Sequence, residues 1–213
     1  MMDWKFDLVR KEGRNDQIYM NKTSTKEEHR PFVTDIAELR RRALVHMEQG
    51  AVTSAYKADR ETVIRILNEV LATEIVCVLR YKRHYYMATG IHAQAVADEF
   101  LEHANEEQSH ADIAAERITQ LGGEPNFSPE GLATRSHSQY VEGTSLLDMV
   151  REDLIAERIA VESYNEIIRY LGDDDPTTRI AMEKIMAKEE EHADDMKKLL
   201  ERIGGAEPFA DQS

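Results

Sequence analysis

The chain has 213 residues, a formal net charge of -14 and a single cysteine, Cys77. That length suits one domain of ordinary size with an extension, and can bury a substantial core. One cysteine excludes an intrachain disulfide and any zinc or iron site built on two or more thiolates, and the acidity argues against indiscriminate binding to nucleic acid.

The start, Met1-Met2-Asp3-Trp4-Lys5, has charges where a signal peptide needs an apolar stretch, and no long uncharged run follows. A cytoplasmic protein without a membrane span is therefore expected. Residues 1–33 show no sustained period and read as an extended or loosely ordered arm ending near Pro31. From Asp35, with Glu38 three residues on, Ile36, Leu39, Ala43 and Met47 recur at helical spacing until Gly50, which predicts a short amphipathic helix. Its Arg40-Arg41-Arg42 run is ordinarily a solvated face, although it could touch phosphate. Residues 1–60 hold twelve basic against ten acidic side chains, so the acidity belongs to the remainder.

Asp59 reads as the cap of a first long helix with Val63, Leu67, Val70, Glu74, Cys77, Val78, Tyr81 and Tyr85 on one stripe, running to Gly90. A second helix, from about His92 to Leu121, follows after so short a link that the two must be antiparallel neighbours. Between Gly122 and Thr144 lies the longest connection, with room for a short helical turn around Ser136 to Val141. It is long enough to travel the length of a bundle, so the third helix can run parallel to the second. Ser145, with Asp148 three on, caps that third helix, which ends at Gly172; Asp175 caps the fourth, with Pro176 in its first turn. The expected fold is all-α, a four-helix bundle with one long crossover between the second and third helices plus a short N-terminal helix. The expected division is an arm and short helix over 1–58, the bundle over 59–204 and a tail over 205–213.

The bundle carries an internal repeat. Glu107-Gln-Ser-His110-Ala-Asp is echoed by Glu189-Glu-Glu-His192-Ala-Asp, and each copy ends twelve residues after its histidine in Gly-Gly. Upstream of each stands one glutamate, Glu74 and Glu157, each followed by valine at +4 and tyrosine at +7. A glutamate and a histidine at i and i+3 leave one face of a helix about a turn apart. Four carboxylates on core stripes would cost several kcal/mol each if left ionised and uncompensated. Two divalent ions balance four carboxylates, with His110 and His192 supplying one nitrogen each, a donor set that suits iron or manganese and for which zinc could compete. Two single glutamates and two Glu-x-x-His motifs on four helices are a known signature of di-iron carboxylate bundles. Charged residues at a stripe edge are more often solvated or paired, but the paired motifs and matched glycine stops together outweigh that reading. Glu106, Glu190 and Glu191 point elsewhere on their helices and read as surface charge.

On Asn68-Glu-Val-Leu-Ala-Thr-Glu74, the stretch from Glu107 to Ile118, Asp153-Leu-Ile-Ala-Glu157 and Glu189-Glu-Glu-His192, residues 59–204 resemble the bacterioferritin and ferritin-like family. The resemblance implies Glu74 and Glu157 as terminal ligands, Glu107 and Glu189 as bridging ligands, and His110 and His192 as nitrogen ligands of two iron ions per chain. It implies oxidation of Fe(II) by oxygen or hydrogen peroxide at a ferroxidase centre, and storage of Fe(III) mineral in a homo-oligomeric shell. Two departures matter. Bacterioferritins bind haem through a methionine directly after the bridging glutamate of the second helix, and Gln108 stands there, so no haem is expected. The tail is also too short for the fifth helix of ferritins and bacterioferritins. The missing fifth helix, together with a long connection that has room for a short helix of its own, resembles the smaller cages related to the DNA-binding protein from starved cells, which favours twelve subunits over twenty-four.

Tyr81 and Tyr164 lie two turns beyond Glu74 and Glu157, where each could donate its hydroxyl to a ligand carboxylate or serve as an electron source. His84 could be an accessory iron ligand but reads first as a solvated or packing histidine, and Cys77 as a small core residue. Two other functions fit the same pattern: an oxygen-activating di-iron hydroxylase, and a protective shell that binds DNA through its basic helix or arm.

Overall fold

Three of the long helices begin where a short polar side chain takes one of the free N–H groups of a first turn. Asp59 accepts from the Thr62 amide at 2.8 Å, Ser145 from the Asp148 amide at 3.1 Å and Asp175 from the Thr178 amide at 2.9 Å. Such caps contribute about 1 kcal/mol each. In the computed structural model, which describes residues 34–90 and 93–204, six α-helices follow in order. They are α1 (Ile36–Ala43), α2 (Arg60–Met87), α3 (Ala93–Gln120), α4 (Leu132–Arg135), α5 (Leu146–Leu171) and α6 (Pro176–Gly204). The expected arm over 1–33, the tail over 205–213 and the start of the second helix at His92 lie outside the described residues.

The helices α2, α3, α5 and α6 form the four-helix bundle, α2 packing along α3 and α5 along α6. Arg117 meets Thr178 and Glu106 meets His192, so α3 and α6 run antiparallel, and α5, antiparallel to α6, runs parallel to α3 as the long crossover requires. Among the described residues there is no strand, and no helix is long and apolar enough to cross a membrane.

The crossover is laid along α2. Asn68 holds the Glu124 carbonyl and the Asn126 amide, Thr73 the His137 amide, Arg80 the Gln139 carbonyl and Arg83 the Glu142 carbonyl. Residues 124–142 thus advance in step with residues 68–83, about 22 Å at the helical rise. The helical turn expected around Ser136 to Val141 instead falls earlier, in α4. Between 136 and 141 side chains of α2 hold the backbone in a non-helical course: Thr73 accepts from the His137 amide at 2.9 Å, Arg80 donates to Gln139 O at 3.0 Å and His84 lies 3.1 Å from Val141 O.

The short N-terminal helix is also shorter than its apolar spacing predicts. It stops at Ala43; His46 takes the left-handed conformation (φ 53°), and a single 3₁₀ turn follows over Met47–Gln49. At the end of α3, Gly122 (φ 78°) supplies the left-handed residue that lets the Gly123 amide return to Ile118 O at 2.9 Å, so the first Gly-Gly is a true helix stop.

The apolar interior falls into two clusters. One unites Val63, Leu67 and Leu71 with Ile118, Ile167 and Ile185; the other unites Tyr81 with Phe100, Val150, Met196 and Leu200. On every long helix the stretch between the clusters carries the repeat's polar residues.

Candidate metal centre

Along α3 and onto the residue after it, the buried Val96, Phe100, His103, Glu107, His110, Ala114, Arg117 and Leu121 alternate steps of four and three. This is the spacing of a seam facing partner helices. Glu107 and His110 are midway along it, and Glu189 and His192 hold the matching place on α6. Glu74 of α2 and Glu157 of α5 face them, and all six are 1–5% exposed.

The six residues form two overlapping groups. Ligand atoms of Glu74, Glu107, His110 and Glu189 lie within 4.8 Å of one another, and so do those of Glu107, Glu157, Glu189 and His192. Glu107 and Glu189 are common to both. His110 Nδ1 is 3.1 Å from Glu107, 2.9 Å from Glu189 and 3.7 Å from Glu74. His192 Nδ1 is 3.3 Å from Glu107, 3.4 Å from Glu189 and 3.8 Å from Glu157. The single proton on each ring nitrogen cannot serve three carboxylates. Glu74 Oε1, Glu107 Oε1, Glu189 Oε1 and His192 Nδ1 are consequently buried without an aligned hydrogen bond. Orphaned acceptors converging on one point suit cations, so the residues present fit a pair of divalent ions.

Burial, reinforced by the charges of Glu107 and Glu189, pushes the carboxyls of Glu74 and Glu157 well above the usual range. Burial also works to raise Glu107 and Glu189, but the facing rings of His110 and His192 outweigh it and hold both below the usual carboxylate range. Against its own burial, His110 is raised to about 12 by the carboxylates of Glu107, Glu189 and Glu74 around it, and His192 is raised by those of Glu107, Glu157 and Glu189. Without a metal, the surroundings thus favour the protonated form of both histidines and of Glu74 and Glu157, and the ionised form of Glu107 and Glu189.

Around this core the side chains are held. His192 Nε2 lies 2.6 Å from Glu106, which also receives Lys188 at 3.2 Å. Reading Glu106 as plain surface charge is therefore corrected: it is half-buried and fixes the ring of His192, because α6 passes close enough to claim it. Glu190 and Glu191 are exposed, as their helical positions predict. The two tyrosines differ. Tyr81 donates its hydroxyl to Glu157 and lies 3.1 Å from His103 Nδ1, whereas the buried hydroxyl of Tyr164 has no hydrogen-bond partner among the described residues. His84 uses one nitrogen on Asp153 at 2.8 Å and the other on Val141 O, leaving none for a metal. Cys77 is buried and its thiol raised by burial, as befits a core residue.

His103 escaped the sequence reading. It is 2% exposed and stacks on His192 with ring centroids 4.0 Å apart, and burial together with the nearby His192 charge lowers it to about 4. Its signal was the four-three spacing to Glu107 and His110.

A model of the ferritin-like domain matches residues 64–206. A bacterioferritin of Mycobacterium leprae is 29% identical over 143 residues, 67% of this chain and 86% of that protein. Among solved structures, a dodecameric thioferritin, the bacterioferritin-related protein of Bacteroides fragilis, is 31% identical with a TM-score of 0.67, covering 70% of this chain and 89% of that one. The Desulfovibrio desulfuricans bacterioferritin, solved with its di-iron site in different catalytic states, is 25% identical with a TM-score of 0.61, covering 69% and 82%. The family match, the helical architecture and the likeness to these structures agree, and the chain belongs to the ferritin-like family.

Proposed function

We propose that this protein stores iron, oxidising Fe(II) to Fe(III) with oxygen or hydrogen peroxide at a paired centre formed by Glu74, Glu107, His110, Glu157, Glu189 and His192 of one chain. The observation that supports it most is the sharing of Glu107 and Glu189 between two buried donor groups. Two Fe(II) ions held side by side yield two electrons, which reduce hydrogen peroxide to water or oxygen to hydrogen peroxide. The protein's part is to place the ions, cancel their charge with four carboxylates and keep bulk water out. Tyr81 orients Glu157 and Glu106 orients His192, as outer partners do at metal sites. The likeness to the dodecameric bacterioferritin-related protein supports a shell of twelve copies of the 24.4 kDa chain.

Anomalous diffraction at the iron edge, with mass photometry and aerobic Fe(II) loading, tests this reading. Two peaks per chain among the six residues, a dodecamer and hundreds of iron atoms per shell are expected. Metal held between subunits would overturn the centre, while two irons per chain with turnover of an organic substrate would favour a hydroxylase. Salt-sensitive retardation of DNA would add a protective role. With Gln108 where bacterioferritins carry their haem methionine, protein from haem-supplemented cells should lack a Soret band; a stoichiometric band refutes this.

Metal binding should depend steeply on pH. Both histidines are raised above the ordinary imidazole value and must shed protons before they can ligate. From pH 6 to 8 the apparent affinity for a pair of divalent ions should therefore rise by about two decades or more per pH unit. In the metal-free protein the sign reverses. Stability from His110 is complete below its unfolded value near 6.5 and fades as pH climbs towards about 12. Zinc titrations across this range check the first statement; a flat affinity would contradict it.

A further inference from the structure

On the half-exposed surface where α3 passes α6, a second group of donors stands apart from the six residues above. Glu99 and His103 are one turn apart on α3, Asp195 is one turn beyond His192 on α6, and one ligand atom from each lies within 4.8 Å of the others. Glu99 and Asp195 are half-buried, while the His103 ring is almost wholly enclosed.

The hydrogen bonding of His103 decides what this group can hold. Tyr81 commits its one proton to Glu157, so its oxygen can only accept from the ring, 3.1 Å away. Nδ1 then carries the hydrogen and Nε2 a lone pair. Nε2 makes no hydrogen bond among the described residues, and the atom nearest it in the cluster is an oxygen of Glu99 at 3.8 Å. Two acceptors, Nε2 and the Glu99 oxygen, face each other beside a second carboxylate, Asp195. Asp195 does accept from Lys198 at 3.0 Å, but a carboxylate has two oxygens and that contact occupies one. An arrangement of lone pairs around a gap of this size is relieved by a cation between them.

We propose that Glu99, His103 and Asp195 form a separate site for one divalent transition-metal ion, with imidazole Nε2 and two carboxylates as its protein ligands. This donor set suits iron, cobalt or zinc rather than calcium or magnesium. Binding there requires nothing of the paired centre. Yet His103 also belongs to an inner group with Glu157 and His192, so an ion at the outer site waits one side chain from that centre. The outer carboxylates face solvent, as an entry point requires.

Cobalt(II) is the probe. Crystals of the full chain soaked in Co(II) and measured at the cobalt edge should show a third peak, between Glu99, His103 and Asp195. Solution titration should reach three ions per chain. In the double variant Glu99→Gln, Asp195→Asn the third peak should vanish and the weakest binding step weaken by about 100-fold. The two central peaks should remain. A wild-type map without the third peak, or a double variant that keeps it, overturns the proposal. Both results read independently of the central peaks, which report on the paired centre alone. A thermal melt of the double variant matching the wild type confirms that its fold is intact.

Discussion

Replacing Glu107 with Gln should slow the initial oxidation of Fe(II) by at least about 100-fold, more than Glu74→Gln or Glu157→Gln does. Even residues one step removed from a metal change activity by roughly 10–100-fold, and Glu107 belongs to both donor groups while Glu74 and Glu157 belong to one each. The metal-free proteins should separate the same variants in stability. Glu107 is held below the ordinary carboxylate range by His110 and His192, so it stabilises the fold above its unfolded value near 4.3, and that contribution is lost as pH falls. At neutral pH, Glu107→Gln forfeits it and should melt lower than wild type. Glu74 is raised by burial and by its negative neighbours, so its ionisation opposes folding as pH rises; Glu74→Gln should melt no lower. Melting curves in chelator at pH 7, beside stopped-flow oxidation rates, test both halves. Equal melting points together with intact oxidation in Glu107→Gln would place the catalytic iron elsewhere.

Arg80→Met should produce the largest loss of stability of any single change outside the centre, lowering the melting temperature by roughly 6–20 °C. Arg80 is 1% exposed and gives Nε to Asp153 at 2.7 Å and Nη1 to Ser138 and the Gln139 carbonyl. Removing one partner of a buried pair leaves the other charge uncompensated, at a cost of about 3–5 kcal/mol. Here that charge is Asp153, left with His84 alone. The same change removes two of the bonds that tie the crossover to α2, those to Ser138 and to the Gln139 carbonyl. The companion change Asp153→Asn should restore part of the loss, because it removes the orphaned charge. A drop of less than about 2 °C in Arg80→Met would show that crossover and pair contribute little. Oxidation by Arg80→Met well below its melting temperature should stay within a few-fold of wild type, since Arg80 is not among the six residues.

Much of this protein was legible in one dimension because a helix maps sequence spacing onto space. A residue at i+3 or i+4 must share a face with residue i, so Glu107 with His110 and Glu189 with His192 declared themselves, and a repeat of that pattern implied facing copies. The caps at Asp59, Ser145 and Asp175 are equally local, since each bond spans three residues. The length of the crossover fixed the direction of the third helix. What spacing cannot supply is the register between helices that lie far apart along the chain. Whether Glu106 meets solvent or His192, 86 residues away, depends on how closely α6 crosses α3. His103 became informative only when stacked on His192 and bonded to Tyr81, and Arg80 only when Asp153 arrived from α5. Sequence determined which side chains share a face; tertiary packing alone decided which faces meet, and so which carboxylates stand in both donor groups and which buried nitrogen is left facing a carboxylate.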